Sequence, residues 1–137
     1  MKVETIAIAL TLIFSNCFAQ TDSVKIDWVY LNQTKSATIY LKSEYVSKDY
    51  SGGKIWTMLE YPTKKINGKI YKNVVEKILY QINCKEKQLQ VVRIVTYSST
   101  GKVIYSTLDY YYDFMKDVIP GSVGDNIVTV SCEMFKN

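Results

Sequence analysis

The sequence is most informative in what it has little or none of. The 137-residue chain contains no His, two Pro and a single Arg. Without His there is no Ser-His-Asp triad, no Cys-His dyad and no imidazole ligand for a metal. No other residue pattern supplies a catalytic set, so the sequence predicts a protein that is not an enzyme and has no metal and no cofactor.

The net charge and the hydrophobic content narrow the possible classes of protein further. Lys plus Arg is 17 and Asp plus Glu is 13, which gives a formal net charge of +4. Arg93 is the only guanidinium available for bidentate phosphate contacts, and the charge is modest, so no nucleic-acid partner is expected. A hydrophobic content of 47% is sufficient for a folded core, and the length fits one domain.

Residues 1–19 are predicted to be a signal peptide, followed by a single domain over residues 20–137. The apolar run at residues 6–14 is too short to span a bilayer but suits a signal-peptide core. Two processing routes are open. Cleavage after Ala19, with small Cys17 two residues before it, is favoured. Lipidation of Cys17 is the alternative, although Phe14 and Asn16 depart from a lipobox. A buried N-terminal core helix is a weaker third interpretation.

Either processing route predicts an exported protein, in the periplasm or at the outer membrane or cell surface. Membrane attachment is expected only if Cys17 is lipidated. Both routes remove Cys17 from the free thiols and leave Cys84 and Cys132 as a pair. In an oxidising compartment such a pair is expected to form a disulfide. Two free buried thiols are the alternative, and a two-Cys metal site without His is weaker still.

Alternating apolar residues between turn signals predict an antiparallel sheet. Pro62 is expected to end the third strand. Asn67-Gly68 is a type I′ turn signal within a polar connection at residues 63–75, which is predicted to be either a short hairpin or a loop. The predicted strands are residues 25–31, 37–45, 54–61, 76–84, 88–97 and 102–108.

The C-terminal segment changes to a helical period. Ser122 is a predicted N-cap, with Asp125 at capping-box spacing. Cys132 falls at the edge of the predicted apolar helix face, and Cys84 is in phase with the apolar face of its strand. The disulfide would therefore tether the helix to one face of the sheet, an α+β fold. The apolar face of the helix is formed by Val123, Ile127, Val130 and Met134.

Three motifs resemble the bacterial surface-adhesin E family: residues 55–61 (Ile-Trp-Thr-Met-Leu-Glu-Tyr), residues 82–84 (Ile-Asn-Cys), and Pro120-Gly121-Ser122 followed by Cys132. The resemblance implies a six-stranded antiparallel sheet with a disulfide-tethered C-terminal helix. It also implies a surface lipoprotein that binds host extracellular-matrix or serum proteins. A periplasmic envelope accessory or partner-binding protein with no adhesive role is the alternative.

Two surface patches are candidate protein-binding sites. Lys64, Lys65, Lys69 and Lys72 form a basic run that would suit an acidic partner, although a solvated loop explains them as well. Residues 110–112 are three consecutive Tyr, which would suit either protein recognition or packing beneath the helix. Trp28 and Trp56 are expected in the core. A homodimer through a sheet edge is also left open.

Overall fold

The alternating segments form one antiparallel sheet with a single helix after it, which confirms the predicted α+β class. The computed structural model describes residues 27–107 and 114–137. In that part of the chain the main path of the sheet has six strands in the order β1-β2-β4-β5-β6-β7, while β3 pairs with β4 and β8 pairs with β6. The strands are β1 (Trp28–Gln33), β2 (Thr38–Lys42), β3 (Ser47–Lys48), β4 (Gly52–Ile66), β5 (Lys69–Asn83), β6 (Gln88–Tyr97), β7 (Val103–Ser106) and β8 (Lys116–Asp117).

The prediction that Pro62 ends a strand is wrong, because β4 continues through it to Ile66. The pairing with β2 stops where Thr38 faces Glu60. Beyond that point, in the part of the chain that the structure describes, β4 pairs only with β5 and has one open edge. An open edge tolerates a residue without an N–H group.

The connection at residues 63–75 is a hairpin rather than a loop. β4 and β5 stay paired until Ile66 faces Lys69, and the turn between them has positive φ at both Asn67 (49°) and Gly68 (81°). Two consecutive positive φ values are the signature of the predicted type I′ turn. Residues 62–73 thus form a two-stranded extension of the sheet, which we call the basic arm.

The helix α1 (Val123–Phe135) begins as the sequence predicts. The Ser122 hydroxyl accepts a hydrogen bond from the Asp125 N–H at 3.2 Å, and the Asp125 carboxylate accepts one from the Gly121 N–H at 2.9 Å. These bonds satisfy N–H groups at the helix start that have no partner within the helix. In the described ranges, no helix is both long enough and apolar enough to cross a membrane.

The core lies between the helix and one face of the sheet. The predicted disulfide joins Cys84, just after β5, to Cys132 in the last turns of α1, across a sequence separation of 48. Burial of the apolar side chains between the helix and the sheet is the main force that holds the two together. The buried cluster consists of Leu41, Ile55, Ile82, Ile127, Val128 and Phe135.

Ser131 buries a polar side chain between the helix and the sheet. Its side chain is fully buried, and its hydroxyl has no hydrogen-bond partner among the described residues. An unpaired buried hydroxyl costs about 1–3 kcal/mol. Ser131→Ala is therefore expected to leave the free energy of unfolding unchanged or to raise it by about 1 kcal/mol. Urea denaturation followed by circular dichroism would measure the change, and a clear loss of stability would contradict it.

Candidate binding surface

The face of the sheet opposite the helix carries a groove. Adjacent residues in a strand point to opposite faces, so Lys42 and Trp56 lie away from the core residues Leu41 and Ile55. The groove is a cavity of about 300 Å³, to which each of five strands contributes one side chain. We call it the aromatic groove, and it is lined by Trp28, Lys42, Trp56, Lys77 and Tyr97.

Two Lys ammonium groups lie against the rings of the aromatic groove. The Lys77 Nζ is 5.7 Å from the ring centroid of Trp28 and 5.3 Å from that of Tyr97. The Lys42 Nζ is 5.1 Å from the Trp28 centroid and 3.1 Å from the carboxylate Oδ2 of Asp27. Cations within about 6 Å of a ring centroid are attracted to its face. Both ammonium groups therefore lie within attractive range of the aromatic rings.

The central Lys of the aromatic groove is flanked by buried apolar side chains. Lys77 stands directly across from Met58 on β4 and from Val95 on β6. Met58 is 6% exposed and Val95 is 8% exposed. Lys77 therefore projects from a central strand between two side chains with little access to water, where electrostatic interactions are stronger than in bulk water.

The expectation that Trp28 and Trp56 belong to the core is wrong, since both are only partly buried and line the groove. One helix covers only one face of a sheet, so bulky residues on the other face stay accessible to solvent. The signal was present in the sequence, because Trp56 is out of phase with Ile55 and Lys77 is out of phase with Ile78. The prediction followed the general tendency of Trp to be buried and not the alternation of residues along the strand.

The predicted basic patch is divided by the structure. Lys65, Lys69 and Lys72 are exposed on the basic arm, and the Lys69 ammonium is 5.1 Å from the ring centroid of Tyr71. Lys64 instead turns inward and forms an ion pair with Glu76 on β5. Three of the four Lys residues therefore stay available on the arm, while Lys64 ties the arm to the sheet.

Glu76 is the centre of a small polar cluster beneath the arm. It is 8% exposed, and its Oε2 accepts a hydrogen bond from the Thr96 hydroxyl at 3.1 Å in addition to the Lys64 ion pair. The Lys64 Nζ also lies 4.2 Å from the ring centroid of Tyr61. A buried carboxylate needs partners of this kind to offset its lost hydration.

Tyr61 is expected to titrate late. Burial, the negative charge of Glu76 and a hydrogen bond to that carboxylate raise the pKa of Tyr61 from 10.0 to about 12. Because the folded pKa is raised, the stability that Tyr61 contributes is complete below pH 10 and is lost as the pH rises through about 12. NMR of ¹³Cζ-labelled Tyr would locate the late resonance, which Tyr61→Phe should remove. A Tyr61 resonance that titrates near pH 10 would contradict the prediction.

Other sequence predictions lie outside the described residues. They are the signal peptide at residues 1–19 with Cys17, and the Tyr patch of Tyr110, Tyr111 and Tyr112. They stay predictions. Among the described residues, no cluster of Cys, Asp or Glu has the arrangement of a metal site.

A disulfide-anchored helix on one face of a sheet and an aromatic, basic groove on the other define a small α+β domain with one open sheet face. A family model described as Surface-adhesin protein E matches residues 28–133, and the chain therefore belongs to the surface-adhesin protein E family. Membership supports a surface-adhesin-like, non-enzymatic binding protein that is exported or lies at the cell surface. No curated protein and no solved structure matches the chain significantly.

Proposed function

We propose that this chain is an exported bacterial protein that binds host extracellular-matrix or serum proteins through the aromatic groove. The observation that carries the proposal is the groove itself, on the sheet face that the helix leaves open. Aromatic residues are enriched where proteins bind one another, and central aromatic anchors supply most of the affinity. The groove offers two Trp rings, one Tyr ring and two ammonium groups in one place.

Direct binding assays test the proposal. The refolded mature chain would be applied to purified matrix and serum proteins immobilised on a biosensor, beside the Trp56→Ala variant. Loss of a central aromatic anchor is expected to weaken binding by about tenfold or more. Tyr50→Ala is the matched control, because Tyr50 is a 90% exposed ring outside the groove. Absence of saturable binding to every protein tested would reject the adhesive function.

The proposed location depends on how the N-terminus is processed. A diacylated or triacylated Cys17 would anchor the domain to a membrane, and mass analysis of the mature N-terminus would detect it. A mature chain that starts at Gln20 would be a periplasmic or secreted protein. Protease treatment of whole cells should degrade a surface-exposed domain and leave a periplasmic one intact.

A periplasmic accessory or partner-binding protein with no adhesive role is the second candidate. The small residues Cys17 and Ala19 favour it, since they suit simple cleavage and release. An intact protein after whole-cell proteolysis, together with a co-purifying envelope partner, would support this candidate.

A homodimer is a further proposal that is compatible with either function. β1 is an end strand of the sheet path, and its residues Val29 and Tyr30 are exposed. Unpaired edge strands are templates for pairing with another chain. Light scattering at several protein concentrations would give the mass in solution.

A further inference from the structure

We propose that the aromatic groove recognises an acidic segment of a protein partner, and that Lys77 pairs with a carboxylate of that segment. This inference rests on the proposed binding function and names the chemistry of the ligand. It also assigns the specificity of the groove to one residue at its centre.

Lys77 is placed to receive a charge from outside the chain. Among the described residues it lies near the Trp28 and Tyr97 rings but has no ion-pair partner. A Lys on a central strand between buried apolar side chains loses part of its hydration, and the rings offset only some of that loss. A carboxylate from a partner would complete the site.

The chain already places a carboxylate at the rim of the groove. Asp27 pairs with Lys42 at 3.1 Å, while the same ammonium stays 5.1 Å from the Trp28 ring centroid. A Lys on this face can therefore hold a carboxylate and an aromatic ring at the same time. The Lys77 ammonium lies near the same Trp28 ring, but no carboxylate of the described residues pairs with it. A carboxylate of the ligand would take that place.

The groove suits a peptide better than an acidic sugar. An ammonium group lies close to the Trp28 and Tyr97 rings, where a sugar ring would need a free aromatic face for stacking. The charged side chains that line the groove are Lys42 and Lys77, whereas a sugar presents many hydroxyls. A volume of about 300 Å³ is at the small end of ligand pockets and has room for one or two side chains. A peptide with a Glu or Asp next to an apolar residue matches both the Lys77 ammonium and the aromatic rings of the groove.

Peptide binding to the whole refolded chain tests the inference. The probe is a fluorescein-labelled peptide with a central Leu-Glu-Glu-Leu, measured by anisotropy against the same peptide with Leu-Gln-Gln-Leu. The Glu peptide should bind at least about tenfold more tightly, and the difference should shrink as salt is added. Lys77→Met keeps the apolar stem of the side chain and should abolish most of the difference. Lys136→Met removes the same charge from an exposed position at the C-terminal end of the helix, on the other face of the sheet, and should have no effect.

The outcomes separate this inference from the proposed function. Equal binding of the two peptides, or an unchanged affinity in Lys77→Met, would overturn the inference. Tighter binding of a heparin-derived tetrasaccharide with the same Lys77 dependence would overturn it in favour of an acidic glycan. If the Glu peptide binds as expected but no matrix or serum protein does, the inference stands and the adhesive function fails. If such proteins bind independently of Lys77, the function stands and the inference fails.

Discussion

Replacing Cys84 and Cys132 together with Ala is expected to lower the free energy of unfolding by about 2–5 kcal/mol. The disulfide closes a loop with a sequence separation of 48. Without it the unfolded chain gains conformational freedom, and the folded chain loses the covalent link between helix and sheet. Both Cys side chains also pack against the buried cluster, so Ala leaves small cavities there.

Urea denaturation with and without a reductant measures this loss. The reduced wild-type chain should be nearly as unstable as the double variant, because both lack the cross-link. The reductant should have no effect on the double variant, which serves as its own control. Equal stability of the oxidised wild type and the double variant would show that the cross-link does not stabilise the fold.

The features that were predicted correctly depend on neighbours in sequence. The Asn67-Gly68 turn, the Ser122 cap and the facing of Cys84 each follow from spacing within a few residues. The pairing of Cys84 with Cys132 joins distant parts of the chain, but the cysteine count and the compartment left one principal choice. Local rules therefore predicted the sheet and the helix, and the cysteine count predicted the covalent link between them.

The errors arose where tertiary contacts decide. Pro62 is tolerated inside β4 because the pairing with β2 ends at Glu60, before the Pro. The position of Pro62 in the sequence does not show how long the neighbouring strand is. Lys64 left the basic patch because the arm brings it to Glu76, which is 12 residues away in sequence. Trp56 became part of a groove because the one helix of the described residues covers one of the two sheet faces. In each case the sequence did not show which strand or helix lies against the residue in the folded chain.

The second large effect is expected at Gly53, where strands β3, β4 and β5 and the end of the helix converge. A Cβ atom at this position would lie 2.3 Å from the carbonyl oxygen of Ser47 and 2.8 Å from the Phe135 ring. Gly53 is also paired with Lys48 on β3 and with Ile82 on β5, so its backbone cannot move aside without breaking the sheet.

Gly53→Ala is therefore expected to cost about 3 kcal/mol, the upper end for overpacking, since one of the clashing atoms belongs to the backbone. Gly124→Ala is the matched control with the opposite sign. Its Cβ would lie 3.5 Å from Leu89, an ordinary contact, and Ala in a helix is favoured over Gly by about 0.5–1 kcal/mol. Thermal unfolding should thus move down for the first variant and up for the second. Similar shifts for both would mean that the convergence at Gly53 is not the constraint inferred from its distances.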